Sequence, residues 1–365
     1  MNKGNIVLSG INLVDGGALS VYHDFLDELI SSGYTDIYNV IAFVGNKSLF
    51  EKYKSYIKLI EIPKSKKSWI YRIYYEYFYF NRISKKINPD IWISMHDITP
   101  NVVAKKQYVY CHNPSPFNKM KISEAKYGIK YYLFSKFYRY LYTINIKKNT
   151  GVIVQQEWMR KEFIKMFNIK NVIVARPSMP DLPNLQSSKT NKENIFVFPS
   201  YPRYYKNFQI ACKAADLITK QGIDNFKLYI TVDGTENRYS LELIKKYSSN
   251  KSICFCGLLT RDKLYSLYEK SCCLLFMSKL ETWGMPIIEF KTTGKPMIVS
   301  NLPYCYETVG DYLNVEFVDP DNEEELANKM LQIITTGTIW GENKLEKYDS
   351  PFASNWKELI NMIIQ

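Results

Sequence analysis

Cys272-Cys273-Leu274-Leu275-Phe276-Met277-Ser278-Lys279-Leu280-Glu281-Thr282-Trp283-Gly284-Met285-Pro286-Ile287-Ile288-Glu289-Phe290 reads as a buried strand, a polar loop with a glycine turn, and the start of a helix. The strand is expected over Cys272–Met277, the turn over Lys279–Met285, and the helix from near Pro286, where proline's missing N–H costs nothing. Glu281 then lies at the carboxyl end of the strand, and Glu289 about a turn into the helix. In an open α/β sheet this is where a ligand sits. Free amides at a helix start hold phosphate, and two acceptor-only carboxylates take hydroxyl hydrogen bonds. A sugar nucleotide, with its diphosphate and many hydroxyls, suits that combination.

Working outward, the same alternation fills the chain. Short apolar runs at Asn5–Ser9, Tyr38–Phe43, Lys58–Ile62, Ile91–Ser94, Gln107–Cys111, Gly151–Val154 and Asn171–Val174 predict strands. Gly16–Ser32 predicts a helix closed by Gly33. The Pro-, Ser- and Asn-rich stretch between Arg176 and Asn194 is the best domain boundary. Pattern then restarts, with strands at Ile195–Pro199, Phe226–Val232, Ser252–Cys256 and Pro296–Ser300. Helices are expected at Asn207–Gln221, Leu241–Ser248 and Arg261–Lys270, and a terminal one over Leu345–Ile364. Buried runs separated by helical patterns predict parallel sheets. The expected architecture is two doubly wound α/β domains facing each other across a cleft, residues 1–178 and 194–349. The terminal helix, within 350–365, is expected to pack back toward the first domain.

Bulk properties narrow the function classes. The chain has 365 residues and a net charge of +12, but the charge is uneven. Residues 1–180 hold 27 Lys and Arg against 13 Asp and Glu, whereas the remainder holds 21 against 23. One domain is therefore expected to meet an anionic partner. No run reaches the roughly 18 apolar residues that span a bilayer, and the N-terminus shows no secretory h-region. Cys254 and Cys256 are spaced C-x-C with no His at ligand distance, so the seven cysteines read as core residues of a cytosolic protein.

The Glu281–Glu289 spacing resembles the E-x7-E motif of retaining glycosyltransferases of family 4, which have the GT-B fold of two Rossmann-like domains. The resemblance implies that Glu281 lies by the donor sugar. It also implies that Thr282, Trp283, Gly284 and Met285 contact sugar and phosphate, and that Glu289 holds the ribose. Three further elements follow in the family's order. Gly16-Gly17 opens the first helix without a G-x-G-x-x-G fingerprint, and is similar to the glycine pair that faces the cleft in family 4. Tyr110-Cys111-His112-Asn113-Pro114 ends a strand, and the family places a His there near donor sugar and acceptor. A His can bond a hydroxyl or shuttle a proton; His96 and His23 are weaker candidates. Arg203-Tyr204-Tyr205-Lys206-Asn207 resembles the family's Arg…Lys-Asn element, whose cations face the donor phosphates, although Arg203 stands closer to Lys206 than the commoner spacing. Gly257-Leu258 matches the loop that grips the nucleotide base.

The resemblance implies transfer of a sugar from a nucleoside-diphosphate donor to a glycan or lipid-linked saccharide, with retention at the anomeric carbon, in bacterial surface polysaccharide synthesis. Catalytic roles fall to Lys206, Arg203, His112 and Glu281, and donor binding to Gly16, Gly17, Asn207, Gly257, Leu258 and the Thr282–Met285 and Glu289 positions. No obvious metal-binding D-x-D stands out, so neither metal nor cofactor is expected, and helix N-termini and cations would replace a metal. A sugar-nucleotide epimerase of related fold, sugar-phosphate synthases or phosphorylases, and a non-catalytic membrane-surface protein are the alternatives. Trp69–Lys86 and Lys126–Lys148 are dense in Tyr, Phe, Lys and Arg, a composition that suits a bilayer interface. The expected location is cytoplasmic, peripheral on the inner face of the cell membrane, and no nucleic-acid module is found.

Overall fold

Fourteen strands among the described residues form two wholly parallel sheets. The computed structural model describes residues 3–118, 120–177, 185, 194–339, 341 and 348–364. By its contacts the chain divides into two units. The first comprises Met1–Asn118, Leu133–Met179 and Tyr348–Gln365; the second comprises Lys119–Tyr132 and Pro180–Lys347. Apart from Leu185, the boundary stretch 178–193 lies outside the described residues.

In the first unit the strands are β1 (Gly4–Gly10), β2 (Tyr38–Val44), β3 (Lys58–Glu61), β4 (Ile91–Ser94), β5 (Lys106–Cys111), β6 (Gly151–Val154), β7 (Val172–Ala175) and β14 (Phe352–Ala353). Their order is β14-β7-β6-β5-β4-β1-β2-β3. Burial on both faces explains the continuous apolar runs. Along β1, Ile6 and Leu8 enter one core cluster with Tyr22, Phe25 and Trp356, while Val7 enters another with Phe43, Phe80 and Trp92. This alternation is the period of two that a pleated strand imposes.

The second sheet contains β8 (Asn194–Phe198), β9 (Phe226–Ile230), β10 (Ile253–Phe255), β11 (Cys273–Phe276), β12 (Met297–Ser300) and β13 (Val315–Val318). Its order is β10-β9-β8-β11-β12-β13. Each sheet turns back on itself once, at β1/β4 and at β8/β11. These are the topological switch points, where loops at the carboxyl ends of adjacent strands part and leave a crevice.

The C-terminal stretch differs from its sequence pattern. A helix was expected over Leu345–Ile364; residues 345–347 lie outside the described residues, and the described helix runs from Trp356 to Ile364, after the short strand β14. Pro351 has no N–H to continue a helix, and its carbonyl instead accepts from Val174 and from Arg160 Nη2, at 2.6 Å in the latter case. The helix seats Trp356 against Phe25 and Tyr110, with ring centroids 5.6 and 5.5 Å apart.

Candidate active site

The two loops at the second switch point carry the cations and carboxylates singled out by sequence. After β8 the chain makes a single 3-10 turn, Tyr204–Lys206, preceded by Arg203. Asn207 follows in the left-handed region (φ 64°) and starts the helix Phe208–Lys220. Asparagine tolerates that conformation better than most residues. After β11, Ser278 and Lys279 are pinned to the same turn. The Lys279 amide donates to Tyr205 O at 2.7 Å, and Ser300 Oγ and Tyr304 hydroxyl donate to Ser278 O at 2.9 and 2.7 Å.

This pinning brings Lys206 and Glu281 together. The Lys206 ammonium donates to Glu281 Oε1, and each side chain is about one-seventh exposed, 14% and 13%. Arg203 Nη1 donates to the Tyr205 hydroxyl at 3.0 Å, which holds the guanidinium within the electrostatic field of Glu281. A cation pair beside a carboxylate at a switch point can receive a diphosphate.

Gly284 (φ 79°) turns the chain into the helix Met285–Lys291, with Pro286 in its first turn. Non-glycine residues rarely adopt that φ. Trp283 is buried and its carbonyl accepts from Thr308 Oγ1; Thr282 and Met285 are half-buried. Glu289 is recessed. Its Oε2 accepts from the Tyr268 hydroxyl at 3.3 Å, and Oε1 lies 3.8 Å from Arg261 Nη2. Burial raises its carboxyl above the ordinary value of 4.5, partly countered by Arg261 and Tyr268. Tyr268 and Arg261 were not singled out by sequence; both lie on the helix Arg261–Lys270, and only the sheet order brings that helix beside Glu289.

Two of the expected donor-binding residues also serve the chain itself. Asn207 is 2% exposed, and its amide nitrogen donates to Met277 O at 3.1 Å and Pro320 O at 2.7 Å. It ties together the loops that follow β8, β11 and β13. Gly257 is buried at φ 69°, and an added Cβ would lie 3.0 Å from Asp233 Oδ2. The chain itself requires glycine there, and the neighbouring Leu258 is exposed.

The remaining candidates belong to the first unit. Gly16 (φ 73°) and Gly17 open the helix Gly16–Ser31, and an added Cβ at either would meet nothing within 4 Å. His112 follows β5, with Nε2 2.9 Å from Met95 O and its amide bonded to Asp97 Oδ1 at 2.6 Å. Burial lowers its pKa, so the neutral ring donates from Nε2 and keeps Nδ1 as an acceptor. That arrangement suits a hydroxyl partner better than a proton shuttle. His96 is fully buried with Nε2 2.6 Å from Glu76 Oε1, and His23 Nδ1 lies 3.0 Å from the Tyr53 hydroxyl. All seven cysteines are free. Among the described residues no cluster of three or more His, Cys, Asp or Glu could hold a metal ion.

Known proteins resemble this chain in sequence and in fold. Residues 184–349 match the family model described as glycosyl transferases group 1. The O-antigen chain mannosyltransferase RfbU of Salmonella typhimurium is 22% identical over 290 residues, covering 78% of this chain and 76% of that protein. The crystal structure of a glycosyltransferase from Rickettsia africae superposes with a TM-score of 0.63 at 19% identity, over 92% of this chain and 90% of that one. HepE of Anabaena, crystallised with UDP and glucose, gives 0.58 at 14% identity over 99% and 95% of the two chains. Residues 184–349 are thus similar to group 1 glycosyltransferases, and the chain as a whole has the GT-B fold of two Rossmann-like α/β domains.

Proposed function

We propose that this protein is a retaining, family 4-type glycosyltransferase. It moves a sugar from a nucleoside-diphosphate donor to a saccharide or lipid-linked saccharide during synthesis of a bacterial surface polysaccharide. The observation that carries the reading is the Lys206–Glu281 pair, set by two loops that part at the β8/β11 switch point. The likeness to an O-antigen mannosyltransferase supports the acceptor class, and the neighbour holding UDP and glucose supports the donor class.

In this mechanism the bond from the anomeric carbon to the diphosphate oxygen breaks first, and its electron pair leaves with the diphosphate. Lys206 and Arg203 stabilise the charge that builds there, more in the transition state than in the ground state. The acceptor hydroxyl attacks the same face, and its proton passes to a departing phosphate oxygen. Glu281 orients Lys206 and takes a donor-sugar hydroxyl, and Glu289 takes the ribose hydroxyls. The amides of Thr282 to Met285 line the donor, and Gly16, Gly17 and the Nδ1 of His112 contact substrate from the first unit. The cations stand in for a metal, so activity is expected to survive EDTA.

Thermal shifts with a panel of nucleoside-diphosphate sugars test the reading, because a ligand specific to the native state raises Tm by mass action. The expected result is stabilisation by one donor and by its free nucleoside diphosphate. Proton NMR of the product should then show the donor's anomeric configuration. Inversion, or consumption of the donor without any acceptor as an epimerase would give, overturns it.

A further inference from the structure

Two helical stretches of the first unit turn large apolar side chains to solvent. Along Trp69–Tyr74 and the π-helical turn Tyr75–Tyr79, the exposed apolar and aromatic residues are Trp69, Ile70, Tyr71, Ile73, Tyr74 and Phe78, with Ile70, Ile73, Tyr74 and Phe78 at helical spacing. Along Ile129–Thr143 and just beyond it, Leu133, Phe137, Tyr140 and Ile144 recur every three or four positions. Ile70 is 79% exposed, Phe78 66% and Phe137 60%.

Their opposite faces are already seated, through buried Arg72 and Glu76 on one stretch and Tyr138 and Tyr142 on the other. The outward stripes thus run opposite to the usual amphipathic rule. The two stretches adjoin, since the Trp69 ring lies 6.3 Å from Phe134 and 6.2 Å from Tyr138. They form one face.

Charge identifies the occupant. Between Glu61 and Asp90 the sole acid is Glu76, which is fully buried, and between Glu124 and Glu157 there is none. Exposed cations flank the apolar stripes, among them Lys67, Lys85, Lys86, Lys136, Arg139 and Lys147. A second copy would set like charge against like charge. Nucleic acid stacks on aromatic rings but gains little from Ile70, Ile73, Leu133 and Ile144. A lipid surface accepts all three classes, because aliphatic side chains enter the acyl boundary, rings sit at headgroup depth and cations meet anionic headgroups. No described helix is long and apolar enough to cross a membrane, so contact would be parallel to the surface.

We propose that this face docks on an anionic phospholipid bilayer. Binding needs neither donor nor acceptor, so the proposal stands or falls separately from the transferase reading. The test is sedimentation of the full chain with phosphatidylcholine vesicles and with the same vesicles containing phosphatidylglycerol.

Binding is expected to the anionic vesicles, to weaken with salt, and to shift tryptophan emission to the blue. The variant Ile70→Ser/Phe137→Ser should lose about tenfold or more in partitioning, and Lys85→Gln about fivefold, both with unchanged Tm because these side chains are exposed. Three results overturn the proposal. They are absence of binding to anionic vesicles at low salt, wild-type partitioning by the double variant, and a solution dimer that the double variant dissociates without vesicle binding.

Discussion

The Lys206 ammonium donates to the Glu281 carboxylate across 75 positions of sequence, and the loops that carry them leave adjacent parallel strands. With both side chains mostly out of water, each is the other's main counter-charge. An incoming diphosphate would draw the ammonium partly from Glu281, so the pair is both an anchor and a reserve of positive charge.

Lys206→Ala should therefore lower kcat by on the order of 100-fold, the usual loss of one transition-state charge contact. It should also destabilise the fold by about 3 kcal/mol, because Glu281 is left buried without its partner. The double variant Lys206→Ala/Glu281→Gln separates the effects. Thermal unfolding should recover toward wild type, whereas turnover with the donor should not.

Glu289 gives a pH-dependent counterpart. Burial holds its folded-state pKa above 4.5. Between that ordinary value and the raised one, the folded state binds more protons than the unfolded state. Stability therefore falls as pH rises through this window, and the cost stays constant above it. Glu289→Gln removes the cost, so its Tm should exceed wild type at pH 7, and the gain should vanish below pH 4.5. The same change should raise the donor KM about tenfold or more through loss of a charged hydrogen-bond acceptor. A calorimetric pH series with a parallel KM measurement checks both halves.

Local grammar made the motif legible. Apolar Cys273–Phe276, the glycine turn and Pro286 declare strand, loop and helix within a few residues of where they fall. Partners set by sheet order were not legible. Tyr268 reaches Glu289 only because its helix crosses the sheet, and Asn207 bonds Met277 and Pro320 because the loops after β8, β11 and β13 leave the same edge of a parallel sheet. Phe352–Ala353 escaped because two residues carry no periodicity, and Val315–Val318 because Glu316 interrupts the continuous apolar run that marks the other buried strands.

Gly17 tests whether the glycine loop serves a substrate or the chain. A Cβ there would meet no protein atom within 4 Å, and the residue lies in a helix, where alanine is favoured over glycine by up to about 1 kcal/mol. Gly17→Ala should leave Tm unchanged or slightly raised. If a substrate approaches the backbone, kcat/KM should nonetheless fall by about tenfold or more, and unimpaired kinetics would remove Gly17 from the site. Gly16→Ala is a poorer probe, since φ 73° strains any side chain.

Asp97 organises the loop that presents His112. Its Oδ1 accepts from the His112 amide at 2.6 Å, the Asn113 amide at 3.0 Å and the Tyr142 hydroxyl at 3.0 Å. It does so from a left-handed conformation, φ 73°, which Asp and Asn tolerate and Ala does not. Asp97→Asn keeps the accepting oxygen and the backbone preference while losing the charge, and should cost about 1 kcal/mol. Asp97→Ala leaves three donors without their acceptor and adds backbone strain, and should cost about 3 kcal/mol or more. Activity should fall in the same order, because the His112 ring is held in place by its own Nε2 bond to Met95 O only while the turn beneath it is fixed. Urea unfolding together with kcat/KM for both variants tests this. If Asp97→Ala were as stable as Asp97→Asn, the three bonds would not hold the turn.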